Sequence, residues 1–232
     1  MRMSTTIQEG NIMLNQQNQQ NQTNMNPTPK QGMGMNNQTM NQPNKNHGGH
    51  ELFDAHEVIA GIISMLDQYQ MYDQHIQDPE LNEIVKRQST FVTTMYNTIV
   101  GSFSTGRDPQ VPTQQYKMTQ TNDTVYGIKP GQPKKPNQSV NELSDKGLSA
   151  YMLGQTKSLA TLLAMTALEM TNPVLRRVVA DSVPNFIEMS YEIFLYQNKH
   201  GYYQVPQLND QDMAQMLQSY TTAPQQPGNM PH

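Results

Sequence analysis

Apolar residues fall in helical rhythm in four stretches of this chain, and two polar stretches break the rhythm. From His50, residues Leu52, Ala55, Ile59, Ile62, Leu66, Tyr69 and Ile76 recur at spacings of three and four, which predicts one helix with a single buried stripe. Pro79 should stop it, because proline disfavours helical geometry in the residue before it. Asp78 is a good N-cap and Pro79 a good first-turn residue for a second helix. Its stripe runs Leu81, Ile84, Val85, Gln88, Phe91, Met95 and Ile99, with an end expected near Gly101. A third stripe opens near Ser144 with Leu148, Met152, Gln155, Leu159, Leu162 and Thr166 and stops before Pro173. The fourth runs Leu175, Val178, Val179, Phe186, Met189, Ile193 and Tyr196, with a kink expected at the internal Pro184. A short helix over Asp210 to Tyr220 follows.

The two helix pairs read as copies. Asp78-Pro79-Glu80-Leu81-Asn82-Glu83-Ile84-Val85 aligns with Asn172-Pro173-Val174-Leu175-Arg176-Arg177-Val178-Val179, 94 residues later. A one-residue shift then brings Phe91 onto Phe186 and Tyr96 onto Tyr191. Between the pairs, residues 102–142 hold Gly106, Pro109, Pro112, Gly127, Pro130, Gly131, Pro133 and Pro136, too much chain for an ordinary helix–helix turn. The expected fold is therefore all-α: a four-helix bundle of ferritin-like connectivity, in which two similar hairpins are joined by a long crossover. The expected divisions are a disordered tail at 1–49, the bundle at 50–208 with its crossover at 102–142, and a short helix with a Pro/Gln-rich tail at 209–232.

Composition explains the tail. The chain holds 29 Gln and 21 Asn, and runs such as Asn15-Gln16-Gln17-Asn18-Gln19-Gln20-Asn21-Gln22 bury too little apolar surface to offset their ordering entropy. The absence of Cys excludes a disulfide framework, a thiolate zinc site and a Cys nucleophile. The longest clean apolar run, Val58 to Ile63, is far shorter than the roughly 20 residues of a membrane span. The N-terminus lacks the apolar region of a secretory signal. A net charge of −4 speaks against nucleic-acid binding. The charge is uneven, with basic flanks beside an acidic 50–101, a distribution that favours self-association.

Candidate chemistry is sparse. A di-metal bundle needs Glu from two helices and Glu-x-x-His from the other two. Here no His follows Glu80, Glu83 or Glu188 at that spacing, and Asp73 and Glu169 do not complete the set. No catalytic, cofactor or metal residues are assigned. His47, His50, Glu51 and His56 form a weak grouping for a cation at the start of the first helix. Gln88 and Gln155 lie in their stripes and suit a core joined by hydrogen bonds. Met65, Met95, Met152, Met165, Met170 and Met189 read as core packing, while Met25, Met33, Met35 and Met40 sit among polar residues with no core to fill. Tyr116, Tyr126, Tyr202 and Tyr203 are expected to be accessible for oxidative coupling. Lys129, Lys134 and Lys135 beside Gln132 and Gln138 are expected to be accessible for isopeptide formation.

The opening His56-Glu57-Val58-Ile59-Ala60-Gly61, the corners at Asp78-Pro79 and Asn172-Pro173, and above all Asn185 to Phe194 with Gly201-Tyr202-Tyr203 give the chain its likeness. Over roughly residues 50 to 208 it resembles the coat F family of bacterial spore coat proteins. The resemblance implies a ferritin-like helical fold and a structural role in the spore coat. It also implies synthesis in the mother cell without a signal peptide and offers no catalytic residues to carry over; the partners expected are other coat proteins, with a homo-oligomer left open. Two other function classes stay open at this point: a ferritin-like di-metal oxidase or catalase using Asp73, Glu169 and Glu188, and an adaptor that docks other coat proteins on its crossover.

Overall fold

The computed structural model describes residues 47–224. Most of the 1–49 tail, including Met25, Met33, Met35 and Met40, lies outside the described residues. Five helices follow in order, α1 (Gly49–Asp73), α2 (Pro79–Thr105), α3 (Asp145–Glu169), α4 (Pro173–Lys199) and the short α5 (Asp210–Leu217), with a single 3₁₀ turn at Val140–Glu142. Among the described residues there is no strand beyond an isolated bridge at Tyr126, Gly127 and Val205. No described helix is long and apolar enough to cross a membrane.

The helix ends follow their local chemistry. The Asp78 carboxylate accepts from the Glu80 amide at 2.8 Å, and Asn172 Oδ1 accepts from the Val174 and Leu175 amides at 3.0 Å. Pro79 and Pro173 follow these caps, at a position where a missing amide costs nothing. Three boundaries differ from the sequence expectation. α1 ends at Asp73, and His75 and Ile76 both bond back to the Tyr72 carbonyl, so Ile76 packs from the corner instead of the helix. α2 continues through Gly101, because the buried stripe continues to Ser102. It stops where Gly106, at φ 64, takes the left-handed turn and bonds to Ser102 O. α5 ends at Leu217, one turn short of Tyr220.

Helix α1 packs on α2 and α3, and α4 packs on α2 and α3, around one apolar core. Every adjacent pair runs antiparallel. Glu51 at the start of α1 meets Thr171 beyond the end of α3, and Tyr196 near the end of α4 meets Asp78 at the start of α2. The buried positions repeat 94 residues apart through both hairpins. Ala55, Val58, Ile62, Met65 and Tyr69 correspond to Ser149, Met152, Thr156, Leu159 and Leu163. In the second helices, Leu81, Ile84, Val85, Gln88, Val92, Met95, Ile99 and Ser102 correspond to Leu175, Val178, Val179, Ser182, Phe186, Met189, Ile193 and Tyr196. The one-residue shift in the sequence alignment is therefore not structural. Val92, not Phe91, occupies the place of Phe186.

The stripes also rotate slightly from their expected phase. In α1 the core takes Val58 and Met65, leaves Ile59 and Leu66 half-buried and exposes Leu52, because apolar residues at both phases leave the register to packing. In α3 it takes Leu163 in place of Leu162, and Met165 is 56% exposed instead of core. α1 and α3 approach closely at Gly61, where a Cβ would sit 2.9 Å from Leu159 Cδ2. α4 runs continuously through Pro184, which is exposed together with Ala180, so the carbonyl that Pro184 leaves unbonded lies on the exposed face.

The crossover is part of the folded body. From Asp108, ion-paired with Arg177, it travels the length of α4 to Lys129, whose amide donates to Gln204 Oε1. Between these ends Thr113 Oγ1 donates to Asp181 at 2.8 Å, and the Asn185 amide group brackets Gln114 O and Tyr116 N at 3.1 and 2.8 Å. Asn198 brackets Val125, accepting from its N–H at 2.6 Å and donating to its C=O at 2.9 Å. These side chains act as a substitute strand for backbone that would otherwise be short of partners.

Candidate functional site

In the last third of α4, facing the first half of α2, one carboxylate lies in the core. Glu192 is fully buried. Arg87 Nη2 donates to its Oε1 at 2.6 Å, while Gln88 Nε2, at 2.9 Å, and the Tyr116 hydroxyl donate to Oε2. Gln88 Nε2 also reaches Met189 O at 3.2 Å, and Tyr69 donates to Gln88 Oε1 at 2.8 Å. Arg87 Nε donates to the Tyr116 oxygen at 3.2 Å, closing the loop. α2, α4 and the crossover thus meet on one carboxylate, and α1 joins them through Gln88.

The electrostatics follow from the partners. Burial opposes the charge on Arg87, but the hydrogen bond and charge of Glu192 outweigh it and raise the guanidinium pKa. Tyr116 is pushed far up by burial first and then by Glu192, and Tyr69 is raised well above its ordinary value, first by burial. Both phenols are therefore protonated donors at neutral pH. Three donors thus converge on one carboxylate, and among the described residues no second acid or His stands with it in a group that could hold a metal.

A pair of carboxylates elsewhere joins the hairpins end to end. Glu51, fully buried, accepts from the Thr171 and Asn172 amides at 3.2 Å, the Gly48 amide at 3.2 Å, the Thr171 hydroxyl and His47 Nδ1 at 3.0 Å. Burial raises its pKa, but these hydrogen bonds, led by Thr171 and His47, outweigh it and hold the carboxyl below its ordinary 4.5. Asp145, 94 residues later at the start of α3, accepts from the Gln77 and Asp78 amides at 3.0 and 3.2 Å. Each hairpin therefore caps the other's corner.

The residues singled out from sequence fall apart accordingly. Of the histidine group, only His47 and Glu51 meet. His50 and His56 are exposed, and His56 lies edge-on to Phe103. Asp73 and Glu169 are exposed, Glu188 is half-buried, Glu83 is exposed, and Glu80 pairs with Lys199 at 2.8 Å. Among the described residues no group of three or more His, Asp or Glu is placed to hold a metal. Gln88 takes the hydrogen-bonding core role expected of it, whereas the buried Gln155 Oε1 has no hydrogen-bond partner among the described residues. Tyr116, expected in solvent, is only 6% exposed, because Asn185 fixes its backbone and Glu192 its hydroxyl. Tyr126 and Tyr203 are exposed as expected, and Tyr202 is half-buried. Glu192 and Arg87 were not singled out, although Glu192 follows Met189 by three and precedes Tyr196 by four, which is the inward phase of α4.

Comparison with known proteins joins these features to a family. Residues 144–206, which are α3, α4 and the Tyr202-Tyr203 segment, match the family model described as the Coat F domain. Over 184 residues, covering 79% of this chain and 83% of the relative, the sequence is 50% identical to the spore coat protein F-like protein YhcQ of Bacillus subtilis (strain 168). No solved structure matches the chain. The family model spans the second hairpin and its closing aromatics, and the longer alignment extends well beyond that hairpin. With half of the aligned positions identical over most of both proteins, the chain belongs to the coat F family.

Proposed function

We propose that the protein is a structural, non-enzymatic component of the bacterial spore coat. The observation that carries this reading is the 50% identity, over 79% of the chain, to a protein named as spore coat protein F-like. The core supports it. Glu192 is engaged by the donors Arg87, Gln88 and Tyr116 and, among the described residues, has no second carboxylate or His beside it, whereas a catalytic metal needs several convergent ligands and an open coordination position. The antiparallel ring of helices, with a crossover travelling the length of α4, supports ferritin-like connectivity for the 50–208 bundle. In this reading the bundle is the packing body, and the polar flanks at 1–49 and 209–232 add multivalent contacts with other coat proteins after synthesis in the mother cell.

A fluorescent fusion in sporulating cells tests the reading. A shell of signal around the forespore is expected, and diffuse mother-cell fluorescence through spore maturation would contradict it. Metal analysis of the purified protein separates the structural role from a di-metal oxidase or catalase. Iron or manganese at one or two equivalents per chain would overturn the non-enzymatic reading. A chain lacking residues 1–46 keeps His47 and Gly48 on Glu51; it is expected to stay folded and to enter spores poorly, and normal incorporation would remove the tail from the account.

A further inference from the structure

The outer face of α3, the end of the crossover and the residues after α4 enclose an open cleft of about 630 Å³. Lys134, Lys135, Lys146 and Lys157 line it, together with Tyr151 and Tyr203, and no lining residue is acidic. Gly147, Ala150 and Gly154 form its floor, so little side-chain bulk fills it. All four lysines are exposed and none forms an ion pair among the described residues; Lys157 Nζ lies 5.7 Å from the Tyr203 ring centroid. Gathering four unpaired ammonium groups in one concavity is unfavourable unless an anion joins them.

The other hairpin has the complementary chemistry. Residues 49–105 carry eight acidic against two basic side chains, whereas residues 107–203 carry ten basic against eight acidic. The outward face of α1 presents Phe53 and Met71, 76% and 55% exposed, with the exposed Glu57 and Asp67 between them. Neither acid forms an ion pair among the described residues. Glu57 and Asp67 are separated by about 15 Å of helix rise, and Lys146 and Lys157 by about 16 Å. Phe53 and Met71 suit a cleft walled by tyrosines.

We propose that this cleft receives the outward face of α1 from a second copy of the chain. The two surfaces differ, so the contact is heterologous, and repeated contacts build an open array unless the rotation closes a ring. This deepens the coat reading by supplying a growth contact. Its test is made in solution, so its failure leaves localisation to the spore coat to be decided separately.

The test uses full-length protein in sedimentation velocity at about 50 mM and about 500 mM salt, a range over which screening of exposed charges rises steeply. The wild type is expected to form higher oligomers at low salt and to dissociate at high salt. Lys146→Gln/Lys157→Gln, which removes the cleft's charges, and Glu57→Gln/Asp67→Asn, which removes those of α1, should each be monomeric with unchanged helical circular dichroism. Mixed in equal amounts, they should stop at a 1:1 dimer, because one partner keeps a working cleft and the other a working face. If the lysine pair on α3 disturbs folding, Lys134→Gln/Lys135→Gln on the crossover must weaken association at least tenfold. A wild type that is monomeric at low salt, a single variant that assembles as the wild type does, or a mixture that stays monomeric would overturn the proposal. So would a cleft that binds an acidic peptide but not this chain.

Discussion

The two hairpins share one burial register and have different surroundings. Eight of the 27 residues of α2 are buried, against 14 of the 27 residues of α4, its counterpart in the repeat. The difference is the crossover. It covers a third side of α4, and the positions it covers carry side chains that bond to it, Asp181, Asn185, Glu192 and Asn198. Their counterparts 94 residues earlier are Arg87, Phe91, Thr98 and Ser104, of which Arg87 and Phe91 touch the crossover at Tyr116. A repeated helical pair thus becomes asymmetric through what lies against its outer face, while the core positions stay equivalent.

The largest effect should come from Glu192, the buried carboxylate on which the Arg87, Gln88 and Tyr116 donors converge. Removing Glu192 by Glu192→Ala leaves Arg87 and Gln88 facing an empty site and releases Tyr116. Breaking a buried pair this way costs about 3 kcal/mol with a partly exposed guanidinium, a fall of roughly 6–12 °C in Tm for a chain of this size. Thr98→Ala, at the equivalent place in α2, should change stability by less than about 0.5 kcal/mol, because its hydroxyl only bonds to Thr94 O in its own helix. Similar losses for the two variants would dissolve the contrast.

Next comes the corner clamp. Because hydrogen bonds hold the folded pKa of Glu51 below its ordinary 4.5, its stabilisation is complete above that pH and is lost as the pH falls through the folded value. Glu51→Gln should therefore cost about 2 kcal/mol at pH 7, with the gap to wild type closing towards pH 3. Thermal melts across that range would measure it. Asp145→Asn, with two amide donors in place of Glu51's larger set, should cost about 1 kcal/mol.

The clamps also mark where sequence reading succeeds and where it stops. Apolar periodicity and the Asp-Pro and Asn-Pro corners specify the helices, because stripe and cap are local properties of consecutive residues. The 94-residue repeat was legible in Leu81 and Leu175 for the same reason. Local pattern could not tell that Gly106, not Gly101, ends α2, since that depends on Ser102 finding the core. Nor could it show that a Pro- and Gly-rich crossover lies ordered along α4. That depends on Asn185 and Asn198, which look like ordinary helical amides until a second chain segment lies beside them. Tyr116 was misplaced because its partner, Glu192, is 76 residues away.

Smaller effects should follow from loosening that crossover. Asn185→Ala and Asn198→Ala should each cost about 1–2 kcal/mol, expressed locally as faster proteolytic cutting within 108–129 before any loss of helical signal. Smallest of all, Lys199→Ala breaks an exposed pair with Glu80 and should leave the midpoint of a denaturant titration almost unchanged.

Hydrogen–deuterium exchange on the full chain tests the central contrast most directly. The amides of Tyr116, Val125, Gly127 and Lys129, each bonded to α4 or to the segment after it, should exchange far more slowly than those of 131–138, and Glu192→Ala should release Tyr116 first. Equal, rapid exchange across the whole crossover would mean that it does not wrap α4, and the asymmetry between the hairpins would need another cause.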